Sequence, residues 1–204
     1  LAKIILTTNG FSSENIKKKF LEQIDIDKKE IRIAIITTAS HHKENNKYAK
    51  KAKVDLTNLG FQKIEFCDVE HDNLDYLSSS NIIYLSGGNP FYLLHHLRKS
   101  GADNKLKDLS KRNTVFVGVS AGAMVLGPDI GVANFFTPEM NSIKLNNFNA
   151  LKITKTAIFP HYDREELFIE KNGKSIEERL FKYENDNKST VVRLRDADFI
   201  VENS

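Results

Sequence analysis

The feature that most constrains this chain is a rhythm of five short, near-continuous apolar runs separated by amphipathic stretches. The runs are AKIILTT (2–8), IRIAIITT (31–38), KIEFCDV (63–69), NIIYLSG (81–87) and TVFVGVS (114–120). Strands covered on both faces have this composition, whereas half-exposed strands alternate apolar with polar residues. Between the runs, residues 13–24, 43–59, 90–100, 103–112 and a short stretch from 121 carry helical periodicity. Asn89-Pro90 is a good helix start, with Asn as N-cap and Pro in the first turn. Gly60 and Gly101 stand where helix C-caps are expected. The alternation predicts an α/β fold, a doubly wound, mostly parallel sheet with helices on both faces. After residue 120 the pattern loosens. Residues 128–150 read as an irregular or antiparallel excursion near the site, with closure over it left open. Residues 151–159 and 189–202 read as further strands around a helix from about 164 to 184. With no repeat, low-complexity block or linker, residues 1–204 are expected to form a single domain.

Charge and cysteine content narrow the partners. A net charge of +3 with 28% charged residues is a mixed surface, and the lysines lie along helix faces without interleaved aromatics. Nucleic acid is therefore not an expected partner. No apolar run approaches the length of a membrane span or a signal peptide, so no membrane partner is expected. The only cysteine, Cys67, precludes an internal disulfide within these residues and suits a reducing, cytoplasmic location. Its place in KIEFCDV favours a buried structural thiol. The histidines (His41, His42, His71, His95, His96 and His161) show no zinc-type spacing, so neither a metal nor a cofactor is implied.

In an open parallel sheet, ligands bind beyond the carboxyl ends of the strands, and three notable sequences fall at such ends. GVSAG (118–122) ends the fifth run. It has the G-x-S-x-G form of a nucleophile elbow, a sharp strand-to-helix turn that holds Ser120 out toward substrate. SGGNP (86–90) ends the fourth run. Its glycines free backbone N–H groups to face an anion, so Gly88 and Ala121 amides are candidate oxyanion-hole donors. FPHYD (159–163) offers His161 as a general base for Ser120. From these residues alone, Asp163, Asp196 and Asp129 all stay open as the acid that would orient His161.

With GGN at 87–89, GVSAGA at 118–123 and PHYD at 160–163 in that order, the chain resembles the aspartyl dipeptidase (peptidase E) family of serine peptidases over nearly its whole length. The resemblance implies a fold similar to class I glutamine amidotransferases, flavodoxin-like in outline, carrying a Ser-His-acid triad. Carried over by position, it implies Ser120 as nucleophile, His161 as base, and Gly88 and Ala121 as oxyanion-hole amides. It aligns the family's acid-bearing LPEGN-like segment with Leu194–Asp198. Asp196 then stands in place of a glutamate, with Asp163 in reserve. Asn89 is implied in shaping the site or binding substrate. The family's TREQR-like segment aligns with SIEER, which puts Ile176 where an arginine suited to an aspartate side chain is expected and retains Arg179. Strict Asp-Xaa specificity would then need Arg164, Lys174 or Arg179 to take over.

The expected function is hydrolysis of dipeptides or short peptides, including those with N-terminal Asp, through an acyl-enzyme; a homodimer is left open. The alternatives are a β-aspartyl or cyanophycin-type peptidase and a catalytically silent binding module on the same fold. An amidotransferase is disfavoured because the elbow carries Ser. An α/β-hydrolase esterase is disfavoured because its acid would precede the histidine.

Overall fold

The computed structural model describes residues 1–170 and 172–204. Its six-stranded sheet contains β1 (Lys3–Thr7), β2 (Arg32–Ile36), β3 (Lys63–Cys67), β4 (Ile82–Leu85), β5 (Val115–Val119) and β8 (Phe199–Asn203). Their spatial order is β3-β2-β4-β5-β1-β8, with the first five parallel and β8 antiparallel to β1. The five apolar runs therefore form the parallel strands they predict, each strand shorter than its run.

Alternation along the central strands divides the core into two layers. Ile5, Ile33, Ile35, Ile82 and Val117 point to one face, where they meet Ile16 and Phe20 of α1 (Glu14–Leu21) and Ala52 and Leu56 of α2 (Lys47–Asn58). Ile4, Leu6, Ile36, Ile83, Leu85 and Phe116 point to the other. That face is covered by α4 (Pro90–Ser100), α5 (Ala102–Ser110) and α6 (Ala121–Leu126). Both side-chain sets along a central strand leave water, which is why these strands carry no polar face. β3 departs from this expectation. It is an edge strand, and exposed Lys63 and Glu65 flank buried Ile64. A short helix, α3 (Asp75–Ser78), follows it.

The helix-start reading at residue 89 holds. The Asn89 side chain accepts from the Phe91 and Tyr92 amides at 2.9 and 3.0 Å, and Pro90 opens α4. Gly101 closes α4 with φ of 77°, and Gly60 follows the last turn of α2 with φ of 98°.

The second half differs from its sequence reading. Residues 128–150 hold a helix, α7 (Gly131–Phe136), and a 3-10 turn at Pro138–Met140. The only strand-like pairing described there is the bridge Asp129–Asn149. Most of 151–159 is irregular; only β6 (Ile158–Pro160) is strand, and it pairs in parallel with β7 (Val192–Leu194) outside the main sheet. The apolar run at 189–202 is not one strand. It breaks at residues 195–198, whose Asp198 N–H bonds back to the Arg195 carbonyl at 3.0 Å, and resumes as β8. Helix α8 spans Ile176–Asn187 and starts later than expected, at a capping box formed by Ser175 and Glu178.

Candidate active site

β4 and β5 are neighbours, with Leu85 opposite Gly118, so the segments that leave their carboxyl ends emerge side by side. A Cβ placed on Gly87 would lie 3.3 Å from the Ser120 Cβ, which measures how closely the two loops approach. Ser120 has φ 49° and ψ −111°, a region that favours glycine. Such a backbone costs about 1–3 kcal/mol and persists where the surroundings over-determine it. Here the Ser120 N–H bonds to the Thr7 carbonyl at 2.8 Å, and the turn packs on β4. A Cβ on Gly122 would sit 2.2 Å from the Leu85 carbonyl oxygen, so only glycine lets α6 approach the sheet this closely. Gly118 is similarly crowded, by the backbone of Ala123.

A different device brings in the histidine and the acid. In the β6–β7 pair, Pro160 lies opposite Leu194, and the Tyr162 N–H bonds to the Leu194 carbonyl at 3.1 Å. The residues just beyond the two strand ends, His161 and the 195–198 turn, are thereby held together. His161 also has a positive φ, 59°, and its carbonyl accepts from the Arg164 amide at 2.9 Å. The sharp turn aims the ring back at the elbow. His161 Nε2 lies 3.1 Å from Ser120 Oγ, and His161 Nδ1 lies 2.7 Å from Asp196 Oδ1. An ionised Asp196 only accepts, so Nδ1 carries the proton and Nε2 is left to accept from the serine hydroxyl. Side-chain exposure of His161 and Asp196 is 23% and 22%, so the pair is shielded yet reachable.

Asp196 is gripped on every polar atom. Its Oδ2 accepts from Arg164 Nη1 at 2.9 Å, its N–H donates to Asp163 Oδ1 at 2.9 Å, and its carbonyl accepts from Asn9 Nδ2 at 3.4 Å. Burial works to raise the Asp196 carboxyl, but the hydrogen bonds from His161 and Arg164 outweigh it and hold the group below its ordinary value. Asp163 thus supports the acid's backbone, and it is Asp196 whose carboxylate faces the ring. Asp129 caps the Gly131 amide at 2.8 Å.

Gly88 has φ 145°, and a Cβ there would lie 2.3 Å from the Ala39 carbonyl oxygen. Among the described residues, neither the Gly88 nor the Ala121 amide has an intramolecular acceptor. Asn89 uses both ends of its side chain: besides capping α4, it donates through Nδ2 to the Met140 carbonyl at 2.7 Å. That bond ties the 128–150 excursion to the glycine loop, and Arg98 anchors the same excursion through the Asn147 and Asn149 carbonyls.

The cations near the SIEER segment are placed as follows. Ile176 is fully buried in the first turn of α8. Arg179 is 8% exposed, donates to the Phe168 carbonyl at 2.6 Å and lies over the Phe136 ring. Arg164 is taken up by Asp196 and Glu166, and Lys174 is exposed. The sequence reading did not anticipate a second polar cluster at the ends of β2 and β3. There Lys43 bonds Asp68 at 3.1 Å and Glu70 at 2.6 Å, and Tyr92 donates to Glu70 at 2.7 Å. Asp68, Glu70 and His71 bring ligand-type atoms within 4.8 Å of one another, and Lys43 supplies the cation at that place.

The profile of peptidase family S51 matches residues 4–203. The chain belongs to peptidase family S51. Among curated relatives, an uncharacterized peptidase of Listeria innocua is 30% identical over 135 residues, 64% of each chain. A peptidase E from Shewanella putrefaciens is 35% identical over 91 residues, 45% of this chain and 37% of its own. The chain thus spans less than two thirds of the length of these relatives. A crystal structure of a peptidase from an acI-B1 actinobacterium superposes with a TM-score of 0.74 at 22% identity, covering 100% of this chain and 84% of that one. A Listeria monocytogenes protein provisionally named peptidase E gives 0.72 at 21%, covering 100% and 98%. At that identity the two structures speak to the fold alone: they share this chain's mostly parallel α/β architecture. No helix among the described residues is long and apolar enough to cross a membrane.

Proposed function

We propose that the chain is a serine peptidase acting on dipeptides or short peptides through Ser120, His161 and Asp196. The observation that carries this reading is the continuous relay Ser120 Oγ–His161 Nε2 at 3.1 Å and His161 Nδ1–Asp196 Oδ1 at 2.7 Å, set on an elbow with a glycine-like backbone. Ser120 Oγ attacks the peptide carbonyl carbon while His161 Nε2 takes the hydroxyl proton. Negative charge develops on the carbonyl oxygen, where the Gly88 and Ala121 N–H groups are its donors. His161 then gives its proton to the departing amine as the C–N bond breaks, leaving an acyl-serine. A water that loses its proton to His161 hydrolyses that ester and regenerates the serine. Asp196 stays ionised throughout and holds the ring in the Nδ1–H tautomer.

Strict recognition of an N-terminal aspartate is not expected of this chain. The position that would carry the arginine is a buried isoleucine, and Arg164 and Arg179 are engaged with groups of the protein itself. The buried Cys67 and the lack of any other cysteine support a reducing, cytoplasmic setting.

A fluorophosphonate probe tests whether Ser120 is activated. One equivalent of covalent adduct, mapped by mass spectrometry to the tryptic peptide holding Ser120 and absent in Ser120→Ala, is expected. Absence of labelling in the folded wild-type chain overturns the nucleophile assignment.

A further inference from the structure

We infer that Arg164 is a positioning residue of the triad, which compensates for an aspartate where the family resemblance expects a glutamate. This inference rests on the peptidase reading above. An acid one methylene shorter reaches the imidazole only if its backbone is drawn in and its carboxylate cannot rotate away. The structure supplies both conditions. Asp163 and Asn9 fix the Asp196 backbone from either side, and Arg164 Nη1 takes Oδ2 at 2.9 Å while Oδ1 faces His161. With both oxygens engaged, rotation about the carboxylate breaks two charge-assisted hydrogen bonds at once.

Arg164 comes from the same turn as His161, because the His161 carbonyl accepts the Arg164 N–H. Base and clamp therefore move as one unit relative to the acid. Its Nε is held by Glu166, which fixes the plane of the guanidinium. The clamp carries an electrostatic cost. A guanidinium beside the acid draws negative potential away from the imidazole and weakens the stabilisation of the imidazolium formed during attack. Glu166 offsets part of that cost by neutralising the outer side of the guanidinium. The charged groups around His161 among the described residues are thus Asp196, Arg164, Glu166 and Asp163, with Arg195 next to Asp196 in the chain.

The clamp predicts opposite shifts from its two halves. Removing the positive charge leaves Asp196 free to stabilise imidazolium, so His161 titrates higher; removing Glu166 leaves the arginine unopposed, so His161 titrates lower. Solvent screening at these exposed partners keeps either change small. Loss of orientation acts separately, on kcat.

The experiment titrates the His161 ring by NMR in wild type, Arg164→Gln, Arg164→Lys and Glu166→Gln, with kcat and KM for a short peptide measured across pH. Arg164→Gln is expected to move the His161 titration upward, to move the acid limb of kcat/KM with it, and to lower kcat roughly tenfold with KM little changed. Arg164→Lys is expected to keep the wild-type titration and recover part of kcat, and Glu166→Gln to shift His161 downward. An unmoved His161 in Arg164→Gln, or shifts of the same sign in Arg164→Gln and Glu166→Gln, overturns the clamp. A rise in KM with kcat intact overturns it as well and makes Arg164 a substrate contact. The titration needs no turnover. Opposite shifts in a chain that hydrolyses nothing would therefore sink the peptidase reading and leave the clamp, while turnover with an unmoved His161 would sink the clamp alone.

Discussion

Replacing Asp196 by asparagine removes one charge and almost no volume, so its effect can be worked out from the hydrogen bonds. The carboxylate accepts on both sides, from His161 Nδ1 at 2.7 Å and from Arg164 Nη1 at 2.9 Å. An amide has one oxygen to give. Arg164 can only donate, so the oxygen turns to Arg164 and the NH2 group faces His161 Nδ1. Nδ1 must then become the acceptor, which places the ring proton on Nε2, opposite Ser120 Oγ. In that tautomer the histidine donates to the serine and cannot take its proton. A wrong tautomer of this kind costs roughly 10³–10⁴ in kcat, about 4–5.5 kcal/mol of transition-state stabilisation. Asp163→Asn is the internal comparison. Its Oδ1 accepts the Asp196 N–H at 2.9 Å, and an amide oxygen keeps that bond, so a loss of less than about threefold is expected. The assay is initial-rate hydrolysis of a short peptide by the three proteins at matched concentration, with circular dichroism to confirm folding. The reasoning is refuted if Asp196→Asn retains more than about a tenth of wild-type kcat, or if the large loss falls on Asp163→Asn.

Three other expectations concern the framework. Gly122→Ala puts a methyl against the Leu85 carbonyl, 2.2 Å from it before relaxation. Overpacking on that scale costs about 2–3 kcal/mol, a fall in Tm of roughly 4–12 °C by calorimetry, with loss of elbow geometry. The hydrogen bonds from Lys43 and Tyr92 hold the Glu70 carboxyl down from its ordinary 4.5 to about 2. A depressed folded-state pKa contributes stability that is present above about pH 4.5 and is lost as pH falls toward 2. A plot of Tm against pH should therefore be flatter across that window in Glu70→Gln than in wild type. Burial pushes the Cys67 thiol up to about 12, so it should resist a disulfide reagent at pH 8 in the native protein and react at once in denaturant.

The parallel sheet was legible because burial on both faces leaves an unmistakable composition in β1, β2, β4 and β5. β3 was legible as a strand but not as an edge, since Lys63 and Glu65 are only two charged residues in an otherwise apolar run. Ser120 and the Gly88 loop were visible because tight turns demand particular residues at fixed spacing. From the residues alone the acid that meets His161 was not, and only the family resemblance put Asp196 ahead of Asp163, because the placement depends on the short β6–β7 pairing between segments 34 residues apart, Pro160 with Leu194. Hydrophobic periodicity over-extended both strands of that pair, and the break at residues 195–198 that carries the acid looked like continuous strand. Arg164 was noted as a cation of the site, but its partner comes from that same distant turn. The sequence pattern alone could point as readily to substrate as to Asp196.

Turnover by this chain depends on Ser120 acting as the nucleophile of a peptidase. The most direct measurement is mass-spectrometric hydrolysis of a panel of dipeptides and short peptides, Asp-Xaa and β-Asp-Xaa included, by wild type and Ser120→Ala side by side. Loss of the serine nucleophile costs on the order of 10⁶ in kcat where the triad acts as a unit. Cleavage of at least one member by wild type, and none above background by the variant, is the expected result. Cleavage at equal rates by both proteins, or by neither, contradicts the account.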